Sequence, residues 1–310
     1  MPITCSPLRY PGGKTALAPF LVNVLKANGL AGGEYAEPYA GGAGAALELL
    51  FGEHVERIWI NDADYHIYAF WMSCLTNAEQ LLEMVEHSPL SVREWRKQRE
   101  IYLHPKVHTR LAVGYATFYL NRCNHSGILL KAGPIGGMKQ NGKWKIDARF
   151  NVPDLKKRIA RIYSYAGRIH VTNLDAILFV KDILIQRSNL PKLLVYFDPP
   201  YYVRGSELYL NHYLHKDHEN LYQYIKKQNS FKWLISYDNC FEVRNIYKGM
   251  EQLSFGLNYS VNRVRVGNEL LIYNRNISLP PISEIGINAL KANGSLFRKR
   301  LFPLPPSPQS

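Results

Sequence analysis

The stretch that decides the fold is EYAEPYAGGAGAALELLFGEHVERIWIND, residues 34–62. It begins with a short strand pattern (34–39) that runs into glycines, continues as an apolar helix pattern (45–52) closed by Gly52, and ends in an alternating strand pattern (57–62) that stops at an acid. Strand, helix and strand in this order, joined by short turns, predict parallel strands in a doubly wound α/β fold.

The alternation of strands and helices continues along the chain with one interruption. The helical pattern of residues 65–87 has a break near Asn77, a residue suited to begin a second helix. Further helices are predicted at 92–103, 110–123 and 153–166, and further strands at 169–173, 192–198 and 232–238. Residues 124–149 predict loops and a hairpin, and residues 259–274 predict a terminal hairpin that turns near Gly267.

The positive charge of the chain is concentrated in the interrupting segment. The 310 residues carry a formal net charge of +13, and residues 88–168 alone hold 17 Lys and Arg residues against four acids. A surplus confined to one segment predicts a basic module that binds a polyanion, attached to a formally neutral body. We therefore predict a body of residues 1–87 and 169–276, a basic insert of residues 88–168 and a flexible, proline-rich tail of residues 277–310.

The composition argues against several classes of protein. The sequence has no apolar run long enough to span a membrane, and its N-terminus lacks the apolar core of a secretory signal. The four cysteines are scattered and form no C-x-x-C pair, which argues against a zinc finger or a disulfide framework. We therefore predict a cytoplasmic protein without a metal site.

The turn after the first predicted strand, EPYAGGAG (37–44), is a candidate ligand site. Its glycines let the backbone approach a bound molecule closely, although an ordinary glycine-rich turn is the alternative. Asp62 ends the next strand about twenty residues later, the spacing at which an acid meets the ribose of a nucleoside cofactor. A helix N-cap, formed by Asp62 or Asp64, is the alternative for this acid.

The stretch LLVYFDPPYY (193–202) is a second candidate site, at the end of a buried strand. A parallel strand that ends in Asp198 delivers a carboxylate to the edge of the sheet where ligands of α/β proteins bind. The two prolines remove two N–H donors and leave their carbonyls as acceptors. With the ring face of Tyr201, these acceptors suit a flat substrate that carries an amino group. A plain strand end followed by a turn is the alternative.

Five motifs in this order resemble the DNA adenine methyltransferase (Dam) family. They are LRYPGGK (8–14), EPYAGGAG (37–44), NDAD (61–64), DPPYY (198–202) and NELLIYN (268–274). The resemblance spans residues 8–274 and implies transfer of a methyl group from S-adenosylmethionine to the exocyclic N6 of an adenine flipped out of double-stranded DNA. It also implies a mostly parallel, seven-stranded methyltransferase sheet with a mainly helical, basic target-recognition insert.

The resemblance further implies roles for individual residues. The catalytic set is Asp198, Pro199 and Tyr201. The Asp198 carboxylate and the Pro199 carbonyl would accept from the target amino group, and Tyr201 would stack on the base. The cofactor-binding set is Tyr10, Lys14, Glu37, Gly41, Asp62, Asp175 and Asp198, with a helix cap as the alternative for Asp175. The chemistry requires no metal ion.

The resemblance implies that the basic insert contacts DNA. The candidate contacts are Arg9, Arg122, His125, Ser126, Leu130, Lys131 and Lys139, and residues 119–133 resemble the recognition hairpin of the family. A solvated loop residue is the alternative for each of them. Leu130 stands where members that methylate GATC carry an arginine, and leucine cannot pair with guanine. GATC is therefore not the expected recognition site.

Other functions stay open on the sequence alone. A methyltransferase acting on RNA would share the site, whereas a catalytically silent DNA-binding relative would be expected to lose Asp198 or Tyr201, and both are present. Protein-glutamine enzymes usually show Asn-Pro-Pro-Tyr and cytosine N4 enzymes more often Ser-Pro-Pro-Tyr, so Asp198 argues against both. We expect a monomer or a weak dimer.

Overall fold

The strands of the computed structural model form one sheet. The structure describes residues 4–9, 14–203, 213–260 and 264–280, without the side chains of 256–260 and 264–268. The strands are β1 (Glu34–Glu37), β2 (Arg57–Asn61), β3 (Ile169–Thr172), β4 (Leu193–Phe197), β5 (Lys232–Asp238), β6 (Glu251–Ser260) and β7 (Val264–Tyr273). Within the described ranges their order is β3-β2-β1-β4-β5-β7-β6, with β1 to β5 parallel and β7 antiparallel to both its neighbours. The predicted mostly parallel, seven-stranded sheet is confirmed.

The helices lie between the strands, as the alternation in the sequence predicts. They are α1 (Ala18–Ala27), α2 (Gly44–Phe51), α3 (Tyr65–Thr76), α4 (Ala78–Glu86), α5 (Val92–Leu103), α6 (Arg110–Cys123), α7 (Val152–Ser164), α8 (Ala176–Leu178, continued by the π-helical Phe179–Leu184 and by Ile185–Arg187), α9 (His215–Ile225) and α10 (Phe241–Ile246). The predicted break near Asn77 separates α3 from α4.

The sheet is covered by helices on both faces. Alternate residues of β4 enter different hydrophobic clusters: Leu194 and Tyr196 belong to one, Val195 and Phe197 to the other. Helices α1 to α7 contribute to the first cluster and α8 to α10 to the second. Burial on both faces explains why β4 is a continuous apolar run in the sequence instead of an alternating pattern.

The basic segment 88–168 is mainly helical, as predicted, but it shares the core of the body. Helix α6 packs along α3, and α7 packs on α3 and α4. Phe118 of α6 and Leu155 of α7 belong to the same hydrophobic cluster as one face of the sheet. The surface charge of the chain therefore changes at residues 88 and 168, whereas the hydrophobic core continues across both positions.

The predicted position of the terminal turn, near Gly267, is wrong. Strand β6 begins at Glu251, and Gly267 lies inside β7 opposite Leu257. Leu270 and Leu271 belong to hydrophobic clusters on opposite faces of the sheet. Their burial fixes the register of β7 and outweighs the preference of Gly267 for a turn. The connection itself, residues 261–263, lies outside the described residues.

The hairpin predicted within residues 124–149 is also wrong. In this segment the structure has a single isolated bridge, between Asn124 and Pro134, and no ladder. The Asn124 side chain donates from Nδ2 to the carbonyls of Ile128 at 2.7 Å and Leu129 at 3.3 Å. A side chain thus satisfies carbonyls that a strand partner would otherwise satisfy, which lets the loop stay irregular.

The first two residues of the predicted tail, Ile277 and Ser278, pack against the body. Ile277 is buried in the hydrophobic cluster that contains α1. The Ser278 N–H donates to Asn28 Oδ1 at 2.8 Å, and Asn28 Nδ2 donates back to the Ser278 carbonyl at 2.7 Å. The chain is therefore anchored on the end of α1 beyond residue 276. Residues 281–310 lie outside the described residues.

Candidate active site

The two central strands, β1 and β4, end side by side at the carboxyl edge of the sheet. They are adjacent and parallel. Beyond β1 the chain enters α2 on one face of the sheet, whereas the helices that follow β4 lie on the other face. This is the switch point of a doubly wound sheet, where a crevice for ligands opens. Strand β1 delivers Glu37 to this crevice, and Asp198 follows β4 directly.

The Asp198 carboxylate is oriented by two groups. Its Oδ1 accepts a hydrogen bond from Ser236 Oγ at 2.9 Å and lies 3.3 Å from Lys14 Nζ. The side chain is 24% exposed, so part of it stays accessible. Burial raises the pKa of Asp198 to about 6, although Lys14 and Ser236 act in the opposite direction. At neutral pH the site therefore presents a fixed acceptor that is mainly ionised.

Lys14 is a buried cation at the centre of this site. It opens the short 3₁₀ turn Lys14–Leu17. Its Nζ lies 3.3 Å from Asp198 Oδ1 and 3.4 Å from Glu269 Oε2. Burial disfavours the ammonium, but Asp198, Tyr201 and Glu269 outweigh burial and raise the pKa of Lys14. Lys14 therefore stays charged and connects the turn after β4 with β7.

Tyr201 is fixed through its hydroxyl group. The hydroxyl accepts from Lys14 Nζ at 2.5 Å and donates to Glu269 Oε1 at 2.5 Å. The ammonium also lies 4.9 Å from the centroid of the Tyr201 ring. Hydrogen bonds to charged groups are stronger than those between neutral groups. The hydroxyl is thus bound to the same ammonium as Asp198, and the ring is held beside that carboxylate.

The turn that follows the two prolines is held by strand β5. Asp238, the last residue of β5, accepts from the N–H of Tyr202 at 2.9 Å and from the N–H of Val203 at 3.0 Å. The prolines themselves have no N–H. The two prolines therefore contribute no backbone donor to this turn, and Asp238 occupies those of Tyr202 and Val203.

Glu37 is the buried acid at the end of β1. Its Oε1 accepts from the Ala46 N–H at 3.1 Å and from the Tyr35 hydroxyl at 3.0 Å. Burial raises the pKa of Glu37 to about 8, and repulsion from Asp198 adds to the rise. Because β1 and β4 are neighbouring parallel strands, Glu37 and Asp198 lie at the same edge of the sheet.

Asp62 joins the end of β2 to the glycine turn. Its Oδ2 accepts from the Gly41 N–H at 2.9 Å and its Oδ1 from the Asp64 N–H at 2.9 Å. The cap of α3 is Asp64, which accepts from the His66 N–H at 2.9 Å. Burial and the neighbouring Asp64 raise the pKa of Asp62 to about 7. Asp62 is therefore a half-buried carboxylate at the crevice and not the cap of this helix.

The glycine turn between β1 and α2 packs closely on the segment that carries Lys14. Gly41 and Ala43 have φ angles of 47° and 45°, in the region that glycine enters without strain and alanine enters at a cost. A Cβ atom at Gly44 would lie 2.2 Å from Thr15 Oγ1. The missing side chain therefore allows the turn and Thr15 to meet.

Two members of the predicted cofactor set stand apart from these residues. Asp175 is exposed and caps α8, accepting from the N–H groups of Ile177 at 2.9 Å and Leu178 at 3.3 Å. This is the geometry of the helix-cap alternative, and a cofactor contact by Asp175 stays a prediction. Tyr10 lies outside the described residues.

Arg122 is buried inside the insert. Its Nε donates to the Arg149 carbonyl at 2.7 Å and its Nη1 to the Pro7 carbonyl at 3.4 Å. Burial and the nearby cations, Arg9 foremost, lower its pKa. A guanidinium held on backbone carbonyls is not available to a DNA strand, so this placement argues against the predicted phosphate or base contact.

The other predicted DNA contacts form two groups. Those that line one cleft are Arg9, His125 and Ser126. Those outside the lining of the cleft are the exposed Lys131 and Lys139 and the half-buried Leu130. The Leu130 side chain packs against the hydrophobic core, so at least part of its surface serves packing.

Three residues of the site were missed by the sequence analysis: Ser236, Asp238 and Glu269. They lie on β5 and β7. Ser236 binds Asp198, Glu269 binds Tyr201, and Asp238 accepts from the N–H groups of Tyr202 and Val203, all in the turn after β4. Glu269 is only 1% exposed. A charged residue inside the apolar run NELLIYN was the available signal, because buried charges require partners.

Within the described residues, no helix combines the length and apolar character needed to cross a membrane. The same residues contain no group of three or more His, Cys, Asp or Glu side chains arranged to hold a metal ion.

The fold and the site first define a class of protein. A sheet of this strand order, with an Asp-Pro-Pro-Tyr turn at its switch point, is the architecture of an α/β methyltransferase. A family model of D12 class N6 adenine-specific DNA methyltransferases matches residues 10–261. The chain belongs to this family and is an adenine-specific DNA methyltransferase, which confirms the resemblance seen in the sequence. Comparison with curated protein sequences found no match.

Proposed function

We propose that the protein transfers a methyl group from S-adenosylmethionine to the exocyclic N6 of an adenine flipped out of double-stranded DNA. The observation that carries the proposal is the Asp198 carboxylate, held by Ser236 and Lys14 at the switch point of the sheet. An amino group needs acceptors, and the Asp198 side chain together with the Pro199 carbonyl would supply two.

Asp198 is proposed to activate the adenine amino group. The lone pair of this nitrogen is delocalised into the ring, and acceptors on both amino hydrogens draw the nitrogen toward a tetrahedral geometry that frees it. As positive charge develops on N6, an ionised carboxylate stabilises the transition state more than the ground state. Because Ser236 and Lys14 already fix the carboxylate, it need not reorganise during the reaction.

Tyr201 is proposed to hold the flipped base. A base inside a duplex is out of reach, so the enzyme must extrude it at a cost of a few kcal/mol. The Tyr201 ring, fixed by Lys14 and Glu269, would offer a preformed face for stacking. A fixed ring reduces the entropy lost when the base is bound.

The residues at the ends of β1 and β2 fit S-adenosylmethionine. A nucleoside ribose donates hydrogen bonds, and Asp62 is a half-buried acceptor beside the tight turn at Gly41. Glu37 ends the strand next to the one that leads to Asp198, which would place this pocket beside the target base. When bound, the sulfonium of the cofactor supplies a reactive methyl group. Lys14 is engaged by Asp198 and Glu269, which favours a positioning role over a cofactor contact.

The direct test is the product in DNA. The protein is expressed in a host without adenine methylation, and the genomic DNA is digested to nucleosides and sequenced with a methylation-sensitive method. We expect N6-methyladenine at one defined site, other than GATC because of Leu130. Absence of N6-methyladenine from DNA, while the purified protein binds both DNA and S-adenosylmethionine, would overturn the proposal. Methylation of RNA alone would do the same.

Replacing Asp62 by alanine should weaken the binding of S-adenosylmethionine. A hydrogen bond to a charged group contributes about 1.5–3 kcal/mol, so we expect the Kd to rise about 10-fold to 100-fold. The measurement is calorimetric titration of the cofactor. The matched control is Asp64→Ala, which removes the cap of α3 and should lower stability by about 1 kcal/mol while leaving this Kd nearly unchanged. Equal effects in the two variants would contradict the ribose role.

A further inference from the structure

A second cleft lies on the basic insert, apart from the crevice that holds Asp198. It has a volume of about 370 Å³. Its lining consists of Arg9, His125, Ser126, Ile135, Gly136, Gly142, Lys143, Trp144, Ala148 and Arg149. This volume lies within the range of pockets that bind small ligands. The lining contains none of the residues that surround Asp198, so the cleft is a separate feature of the surface.

The charged side chains that line this cleft are all cations. The lining includes Arg9, Lys143 and Arg149, and none of its described members carries a carboxylate. Arg9 and Arg149 both line this cleft, and burial and the neighbouring Arg149 lower the pKa of Arg9. Two cations held together in this way favour an anion between them, and a phosphodiester matches guanidinium geometry.

The position of Arg9 is enforced by the fold. Its N–H donates to Asn121 Oδ1 at 2.6 Å, and Asn121 Nδ2 donates back to the Arg9 carbonyl at 2.8 Å. Its Nη1 donates to the Asn124 carbonyl at 3.1 Å. These bonds fix the segment of Arg9 on the end of α6, so one cationic wall of the cleft is preformed.

Trp144 gives the cleft an aromatic wall. All five tryptophans lie in the described part of the chain; four are at most 6% exposed, whereas Trp144 is 65% exposed. Lys143 Nζ lies 5.8 Å from its ring centroid. The backbone behind the ring is tightly packed, because a Cβ at Gly136 would lie 2.7 Å from the Trp144 carbonyl. An exposed aromatic ring beside cations offers a face on which a nucleic acid base can stack.

We propose that this cleft is a second nucleotide site for DNA, in which a base outside the duplex stacks on Trp144 and its phosphate lies between Arg9 and Arg149. Aromatic rings and cations that alternate along a groove are how proteins hold a nucleic acid strand without reading its sequence. The inference rests on the proposed function, since it assigns a further contact to the same DNA substrate. Its role is to hold the DNA while the target adenine occupies the crevice at Asp198.

Trp144 makes the site directly observable. Because the other tryptophans are buried, a DNA-dependent change in intrinsic fluorescence should come mainly from Trp144. Titration with a duplex that contains the methylation site should quench the emission of the wild-type protein. The same titration of Trp144→Phe should show little change while DNA binding persists. Equal quenching in Trp144→Phe would overturn the assignment.

Affinity measurements test the two halves of the site separately. Trp144→Ala should weaken duplex binding about 5-fold to 100-fold through lost stacking, whereas Met138→Ala, an exposed apolar residue of the same loop outside the cleft, should not. Arg149→Ala should reduce the slope of log K against log salt by about 0.9, the amount expected for one phosphate contact. Its matched control is Lys192→Ala, at the opposite end of β4 from Asp198, which should leave the slope unchanged.

The result is independent of the test of methylation. If the wild-type protein produces N6-methyladenine but neither Trp144→Ala nor Arg149→Ala differs from its control, this cleft is not a DNA site and the proposed function stands. If the wild-type protein produces none, the proposed function fails whatever the cleft binds.

Discussion

Asp198→Ala is expected to reduce methyl transfer by about 100-fold to 10,000-fold, the range found when a positioned acid, base or charge-stabilising group is removed. The substitution removes the acceptor that Ser236 and Lys14 hold at the crevice. The rate is measured in a single turnover with preformed enzyme–DNA complex, so that product release does not mask the chemical step.

Asp198→Asn is the matched control for this experiment. It keeps an acceptor oxygen of the same shape and removes the charge, so we expect a rate between those of the wild type and Asp198→Ala. DNA affinity should be nearly the same in all three proteins, because most of the proposed DNA contacts lie outside the crevice at Asp198. Turnover of Asp198→Ala at the wild-type rate would contradict the role assigned to this carboxylate.

Lys14→Met is expected to move the pH dependence of methylation. The rate depends on ionised Asp198, so in the wild type it should rise as the pH passes through about 6. Lys14 lowers the pKa of Asp198, and an adjacent cation typically does so by about 1–3 units. Its removal should therefore shift the rising limb of the profile to higher pH by about that amount. The measurement is the single-turnover rate as a function of pH.

Glu269→Gln provides the opposite shift in the same experiment. Glu269 raises the pKa of Asp198 by like-charge repulsion, so its neutralisation should move the limb to lower pH. Both substitutions alter a buried charge cluster and should lower stability, by about 3–5 kcal/mol where a buried pair is broken. Loss of stability alone would not move the two limbs in opposite directions. If the rising limbs of the two pH profiles lie at the same pH, the proposed electrostatic effect of Lys14 and Glu269 on Asp198 is contradicted.

The sequence predicted the parallel part of the sheet because each strand carries its own signal. The strand patterns at 34–39, 57–62 and 192–198 each end in an acid or a glycine turn, and each is a strand within one residue or two. Asp62 and Asp198 were placed correctly at the carboxyl edge for the same reason, since the end of a parallel strand determines where its next residue lies.

The roles of polar residues in the interior depended on distant parts of the chain. Arginine is a residue type that commonly contacts DNA, yet Arg122 is buried and donates to the carbonyls of Pro7 and Arg149. Gly267 is a turn residue by its type, yet it lies within β7. In both cases burial against a remote segment outweighs the local preference of the residue.

The sequence by itself therefore determined the α/β class, the family and the acid-Pro-Pro-Tyr site, because these depend on residues that are neighbours along the chain. Only the tertiary structure placed Lys14 and Glu269 around Tyr201 and Asp198, and set Arg9 against Arg149 and Trp144 in one cleft. Such groups act on one another through short-range hydrogen bonds and Coulomb forces. Their strength depends on distance and burial in space, which the order of the residues does not contain.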